Sequence, residues 1–162
     1  MPLSINDVLY DALKEGRLYS INHTSPSIAA ADNYLVGLTT GARPVVYHDR
    51  SYLANVSEFT VELFRVGYTG GTPIAVGNRN FVIGGSGPVS HVAAPTATPA
   101  NLVASVRVLA GTSTGNAQAQ IPENEKYILD ANTQYVLRLT NTAAGAAIIT
   151  FRWTYQDLLA QE

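Results

Sequence analysis

The chain has 162 residues, a formal net charge of −2 and a charged fraction of only 14%. Its ten Lys and Arg residues are spread along the chain, so we expect neither nucleic acid nor an anionic membrane as a partner. Cysteine is absent, which excludes disulfides, thiolate metal sites and a cysteine nucleophile but does not fix the compartment. We also recognise no signal peptide and no apolar run long enough to span a membrane.

The first element in chain order is an amphipathic helix predicted over residues 4–15. Ser4 is a suitable N-cap, and Gly16 stands where a left-handed residue would end the helix. Its apolar stripe consists of Ile5, Val8, Leu9, Ala12 and Leu13. The helix either packs on its own domain or lies on a neighbouring subunit as an arm. A short strand or extended connector through Tyr19 follows, and we place a boundary between a helix-and-arm segment, residues 1–30, and a compact domain, residues 31–162.

Short strands separated by Gly, Pro and Asn turns fill the middle of the chain. Alternating apolar and polar residues predict strands at 34–39, 44–49, 53–56, 58–66, 74–76, 80–83 and 102–110. Residues 84–101 contain Gly and Pro but almost no charge, and we predict a long loop there. That loop is either a binding loop or a plain surface loop.

The clearest strand pattern lies in residues 127–155, which are predicted to form three strands. The alternating apolar positions are Tyr135, Leu137 and Leu139 in one strand and Ala147, Ile149, Phe151, Trp153 and Tyr155 in the next. We interpret this region as an antiparallel meander with one buried face, which needs a second sheet to cover it. About eight or nine short strands in total predict an all-β fold, an antiparallel sandwich or barrel.

Side chains that could support catalysis are few. His23, His48 and His91 lack the spacing of a metal site. Glu58 and Glu62 share one strand face, as the carboxylates of a glycosidase could, although such pairs are common on solvated strands. No nucleophile elbow, phosphate-binding loop or dinucleotide fingerprint occurs. We therefore expect no enzyme, no metal and no cofactor.

Several segments together resemble one protein family. They are E-L-F at 62–64, G-G-T-P at 70–73, N-R-N at 78–80, I-L-D-A-N-T-Q-Y-V-L-R-L-T-N at 128–141 and F-R-W-T-Y at 151–155. In these segments the chain is similar to the capsid decoration, or cement, proteins of tailed bacteriophages. The likeness covers most of the chain from about Ala31 onward. The N-R-N segment is shorter than the Asn/Arg repeat of the family, and the N-terminal helix has no counterpart there.

The resemblance implies a jelly-roll β-sandwich with a short N-terminal helix or arm. It also implies a structural virion protein, made in the host cytoplasm, that binds the outside of the capsid and bridges subunits of the major capsid protein lattice. We expect a homo-oligomer, either a dimer or a trimer, because exposed edge strands pair across symmetry axes. The expected partner contacts are Ile5, Leu9, Leu13 and Tyr19 on the arm and Pro88, His91 and Pro95 on the loop.

A second class of function stays open at this point. Jelly rolls also bind carbohydrate through exposed aromatic side chains beside turns. Tyr47, Tyr52 or Tyr68 would provide such a platform in a phage tail or receptor-binding module.

Overall fold

The protein consists of two packed antiparallel sheets in the computed structural model. The structure describes residues 12–13, 15–79, 87–109, 117–121 and 127–158. The strands in these ranges are β1 (Leu18–Thr24), β2 (Asn33–Thr40), β3 (Val45–Ala54), β4 (Glu58–Phe64), β5 (Thr72–Ile74), β6 (Val76–Asn78), β7 (Val89–Ala93), β8 (Leu102–Leu109), β9 (Ala117–Ile121), β10 (Tyr127–Leu129), β11 (Gln134–Asn141) and β12 (Ile149–Asp157). None of the described residues belongs to a helix able to cross a membrane.

The strand order is that of a jelly roll. The first sheet has the order β10-β3-β12-β1-β6, with β9 also paired to β3, and the second has the order β5-β7-β2-β11-β4-β8. Because β9 and β10 pair with successive parts of β3, they act as one interrupted strand. β1 then pairs with β12, β2 with β11, β3 with β9 and β10, and β4 with β8. The all-β, jelly-roll-like fold is therefore confirmed.

The predicted meander in the last third of the chain is wrong. Strands β10, β11 and β12 do form, but β10 and β12 belong to the first sheet and β11 belongs to the second. Alternation along a strand fixes which face is buried, and both sheets of a sandwich bury one face. The pattern could therefore identify the inward residues without identifying the neighbouring strand.

Aromatic side chains from the first sheet fill the centre of the core. The rings of Tyr47 and Trp153 meet edge to face with centroids 4.8 Å apart, and Tyr155 lies 5.1 Å from Tyr47. The indole Nε1 of Trp153 donates a hydrogen bond to the Tyr52 hydroxyl at 3.1 Å, so the polar atom of this buried side chain is satisfied. These residues fall at the inward positions of β3 and β12, and they fix the packing of the two sheets.

The predicted end of the N-terminal helix is confirmed. Gly16 has a φ of 68°, its N–H donates to the Leu13 carbonyl, and the Arg17 N–H donates to the Ala12 carbonyl, which is the bonding of a Schellman cap. Ala12 is fully buried, and the Asn78 side chain of β6 donates to the Gly16 carbonyl at 2.9 Å, which holds the end of the helix on its own domain. Of the predicted helix, residues 4–11 and 14 lie outside the described residues.

The predicted helix-and-arm segment, residues 1–30, needs a correction at residues 18–24. Leu18–Thr24 is β1, which pairs with β12 on one side and β6 on the other. Tyr19 therefore belongs to the body of the sandwich, since its strand is internal to a sheet rather than extended as an arm.

The long loop predicted over residues 84–101 is also corrected. Residues 89–93 form β7, which pairs with β2 and β5 in the second sheet. Val89 and His91 point inward along this short strand, and flanking Gly and Pro residues concealed the alternation. The strand predicted at 74–76 divides between β5 and β6, which lie in different sheets. The strand predicted at 80–83 lies outside the described residues.

Candidate functional site

The two carboxylates that could have served a glycosidase are paired with arginines. Glu62 bonds Arg138 of β11 at 2.7 Å, and Glu58 bonds Arg107 of β8. Both pairs cross between neighbouring strands of the second sheet, where opposite charges stabilise strand pairing. Each carboxylate has a cationic neighbour on the sheet surface, so the pair is a structural feature of that surface.

The three histidines lie in separate places. His23 contacts the Tyr34 hydroxyl at 3.1 Å, His48 contacts Gln156 at 2.8 Å, and His91 contacts Tyr47 at 3.2 Å. Among the residues that the structure describes, no group of three metal-binding side chains comes together.

Two of the expected loop contacts face the interior of the chain. His91 is only 2% exposed, and this burial lowers its pKa to about 3. Pro95 is buried as well, and Pro88 is half-buried with its carbonyl bound to the Gly41 N–H. The contact set is corrected accordingly, because His91 and Pro95 offer a partner almost no surface.

Of the expected arm contacts, Tyr19 lies beside Gly87, the residue that precedes the expected loop contact Pro88. Tyr19 is half-buried and stacks on Tyr155 with ring centroids 5.6 Å apart. Leu13 is half-buried at the end of the helix. Ile5 and Leu9 lie outside the described residues, so their expected role stays a prediction.

The aromatic platform for carbohydrate is wrong for two of its three residues. Tyr47 and Tyr52 are core residues, and burial raises the pKa of each hydroxyl. The ring of Tyr68 lies across the backbone of Gly37, and its hydroxyl bonds Thr39 at 2.7 Å. One face of that ring is therefore already covered by the sheet.

One candidate surface is the free side of β8, which we call the β8 edge and define by Leu102, Val103 and Leu109. These side chains are 56%, 47% and 56% exposed. Along its other side β8 pairs with β4. Among the described residues no strand pairs with the free side, and β9 of the first sheet lies near β8 without pairing with it. A long edge strand presents unpaired backbone donors and acceptors together with apolar side chains, which favours pairing with another chain.

A second candidate surface is the Leu53 patch, which we define as Leu53 and Ile148 on the first sheet. They are 51% and 43% exposed and line a shallow groove with Ala54, Asn55 and Thr150. The Asn55 side chain accepts a hydrogen bond from the Ile148 N–H at 2.6 Å, which ties the two strand ends together. The residues that line the groove are uncharged, which is typical of the centre of a protein contact surface.

Both surfaces were missed by the sequence analysis, although a signal was present. Val103 and Leu109 share the outward face of β8 with Ser105 and Arg107, while Ile148 precedes the outward Thr150. Aliphatic residues on a face that is otherwise polar mark surface that the core does not use.

Comparisons with known proteins add little to this geometry. No protein-family model and no curated protein matches the chain. A solved structure of pili from Bacillus endospore appendages is 13% identical over 89% of this chain and 90% of that chain, with a TM-score of 0.38. The structure of Desmodium yellow mottle tymovirus is 9% identical over 90% and 89%, with a TM-score of 0.29.

The similarity to a solved enzyme structure is also weak. Hydroquinone 1,2-dioxygenase from Sphingomonas sp. TTNP3 is 15% identical over 90% of this chain and 61% of that chain, with a TM-score of 0.26. A pilus, a virus and a dioxygenase at such values have no common function to transfer. The class that the fold defines is an antiparallel jelly-roll β-sandwich with two exposed aliphatic surfaces.

Proposed function

We propose that this chain is a structural virion protein of the decoration, or cement, type, which binds the outside of a tailed-bacteriophage capsid and bridges major capsid subunits. The observation that carries the proposal is the presence of two separate aliphatic surfaces, the β8 edge and the Leu53 patch, on one rigid body. The sequence resemblance to phage decoration proteins supplies the partner.

Bridging needs two contacts held at a fixed separation. A body that engages two neighbours at once gains avidity from effective concentration without a strong individual contact. Because such a protein binds only the assembled lattice, it stabilises that lattice by mass action. A jelly roll suits this role, since closely paired sheets hold the two surfaces rigidly relative to each other.

The Leu53 patch is the proposed contact with the shell. Its two side chains are about half exposed, and covering each one contributes about 1 kcal/mol. Together they supply about 2 kcal/mol for each contact, equivalent to a roughly 30-fold change in affinity. Neutral neighbours such as Asn55 and Thr150 allow this surface to lose its water at low cost.

The test uses purified shells that lack this chain and quantifies its copy number against the major capsid protein by mass spectrometry. The wild-type chain should saturate at a simple ratio to the capsid protein. A variant with Leu53→Ser and Ile148→Ser should bind roughly 30-fold more weakly. Ile128→Ser is the matched control, because Ile128 is the most exposed large aliphatic residue in the described part of the chain but stands alone on β10.

Equal binding of the patch variant and the control would refute the proposed contact. A few copies per particle would place the chain at a tail or vertex, which was the alternative function. Specific binding on a glycan array would support a carbohydrate-binding module instead.

A further inference from the structure

The pattern of exposed residues along the β8 edge indicates which kind of partner binds there. Residues 104–109 pair regularly with β4, and a register shift at the start of β8 leaves both Leu102 and Val103 exposed. Beyond the shift, Ser105, Arg107 and Leu109 point outward while Ala104, Val106 and Val108 point inward. One end of the edge therefore carries two exposed aliphatic residues, and the opposite end carries a third.

We infer that the β8 edge binds the β8 edge of a second copy of this chain, antiparallel across a twofold axis at Val106. The second sheets of the two copies then form one continuous sheet. This inference rests on the proposed function and deepens it, because a dimer joined at the β8 edge presents two Leu53 patches to two capsid subunits. Dimerisation itself is measured with no shell present.

The position of the axis follows from strand geometry. Residues directly opposite each other in an antiparallel pair point to the same face, so a twofold axis must pass through a residue and not between two residues. Val106 and Ser105 are the two residues at the middle of β8. An axis at Val106 brings Leu109 of one copy to the Leu102 and Val103 end of the other, twice per dimer. The register shift falls at Val103, so both exposed side chains at that end lie near Leu109 of the second copy. An axis at Ser105 would place Val103 opposite a guanidinium and leave Leu109 beyond the paired region.

Charge favours a second copy as the occupant. Arg107 is the one charged residue of β8, and it is paired with Glu58 of its own chain. With the axis at Val106, Arg107 lies opposite Ser105 of the second copy. Each copy therefore contributes an internally neutralised pair and an uncharged strand, so self-association meets no like-charge opposition.

The size of the contact sets the expected affinity. Residues 103–109 extend over roughly 24 Å of strand. An edge-to-edge contact of that length falls at the low end of the size range of specific interfaces. We therefore expect a dimer with a dissociation constant in the micromolar range.

Cysteine cross-linking tests the register directly, because the chain contains no cysteine. Ser105→Cys and Arg107→Cys chains, mixed and oxidised, should give a disulfide-linked heterodimer, since these positions lie directly opposite each other. Ser105→Cys alone should give little cross-linked dimer, because its two copies are diagonal, with Cα atoms about 8 Å apart. Cross-linking of Ser105→Cys alone would overturn the axis at Val106, and no cross-linking in the mixture would overturn the dimer.

Analytical ultracentrifugation over the micromolar range tests the surface independently. A variant with Val103→Lys and Leu109→Lys should dimerise at least about tenfold more weakly, because lysine on an edge opposes strand addition. Lysines placed at Leu53 and Ile148 provide a matched control and should leave the dimer unchanged. If the β8 variant associates like wild type while its circular dichroism is native, the inference is wrong. Failure of the dimer would leave the shell-binding test of the Leu53 patch unaffected.

Discussion

Lowering the pH from 7 to 5 should destabilise this protein through His91. The imidazole lies between the sheets, with the Tyr47 hydroxyl at 3.2 Å and the ring of Tyr155 at a centroid distance of 5.6 Å. Leu38 of β2 and Ile74 of β5 flank it in the sheet. Burial raises the pKa of both tyrosines, so their hydroxyls remain neutral and neither stabilises an imidazolium.

The sign and size of this stability change follow from the pKa of His91 in the unfolded and in the folded chain. Burial lowers the pKa of His91 from its ordinary value of 6.5 to about 3 in the folded chain. Above pH 6.5 His91 is neutral in both the folded and the unfolded chain, so its protonation does not change the free energy of unfolding. As the pH falls from 6.5 to about 3, the unfolded chain binds a proton that the folded chain does not, and stability falls by about 1.4 kcal/mol per pH unit. At pH 5 the loss from this site is about 2 kcal/mol.

Urea denaturation at pH 7 and pH 5 measures this loss, with His91→Gln as the test variant. Glutamine does not titrate, so the variant should lose about 2 kcal/mol less than wild type between the two pH values, whatever its own stability at pH 7. His23→Gln is the control, because His23 is only half-buried and should change the slope much less. An identical pH dependence in wild type and His91→Gln would refute the reasoning.

Three further changes test the packing described above. Gly37→Ala would place a Cβ 2.6 Å from the Tyr68 ring and should cost about 1–3 kcal/mol in urea denaturation, a loss that Tyr68→Ala in the same chain should partly remove. Asn141→Ala should cost about 3 kcal/mol, because this fully buried amide bonds three carbonyls and one N–H of the surrounding loops; a loss below about 1 kcal/mol would contradict that role. Glu58→Gln should change stability by less than about 1 kcal/mol, since its pair with Arg107 is largely exposed.

Burial along single strands was predictable from the sequence. Every second residue from Ala147 to Tyr155 is buried, as the alternation indicated, and Gly16 ends the helix in the left-handed region. These features depend on local geometry, namely the two-residue period of a strand and the freedom of glycine at positive φ. Local sequence contains the information for both.

Pairing between strands was not predictable in the same way. β10, β11 and β12 alternate between the sheets although they are consecutive in sequence, because a jelly roll pairs strands that are distant along the chain. Tyr47 and Tyr52 illustrate the consequence for function. On an isolated strand they could have faced solvent as a binding platform, whereas the covering sheet makes both of them core residues.

The candidate surfaces occupy positions that the fold leaves unconstrained. Leu53 and Ile148 lie on the outer face of the first sheet, and Val103 and Leu109 lie on the outer face of β8, so none of them fills the core. About half of each side chain is exposed, so its aliphatic character adds little packing within one copy, and polar residues there would keep the strands intact. Substitutions at these four positions should therefore leave the free energy of unfolding within about 0.5 kcal/mol of wild type while they weaken association. Such a separation between stability and association is the property that distinguishes an interaction surface from an exposed part of the core.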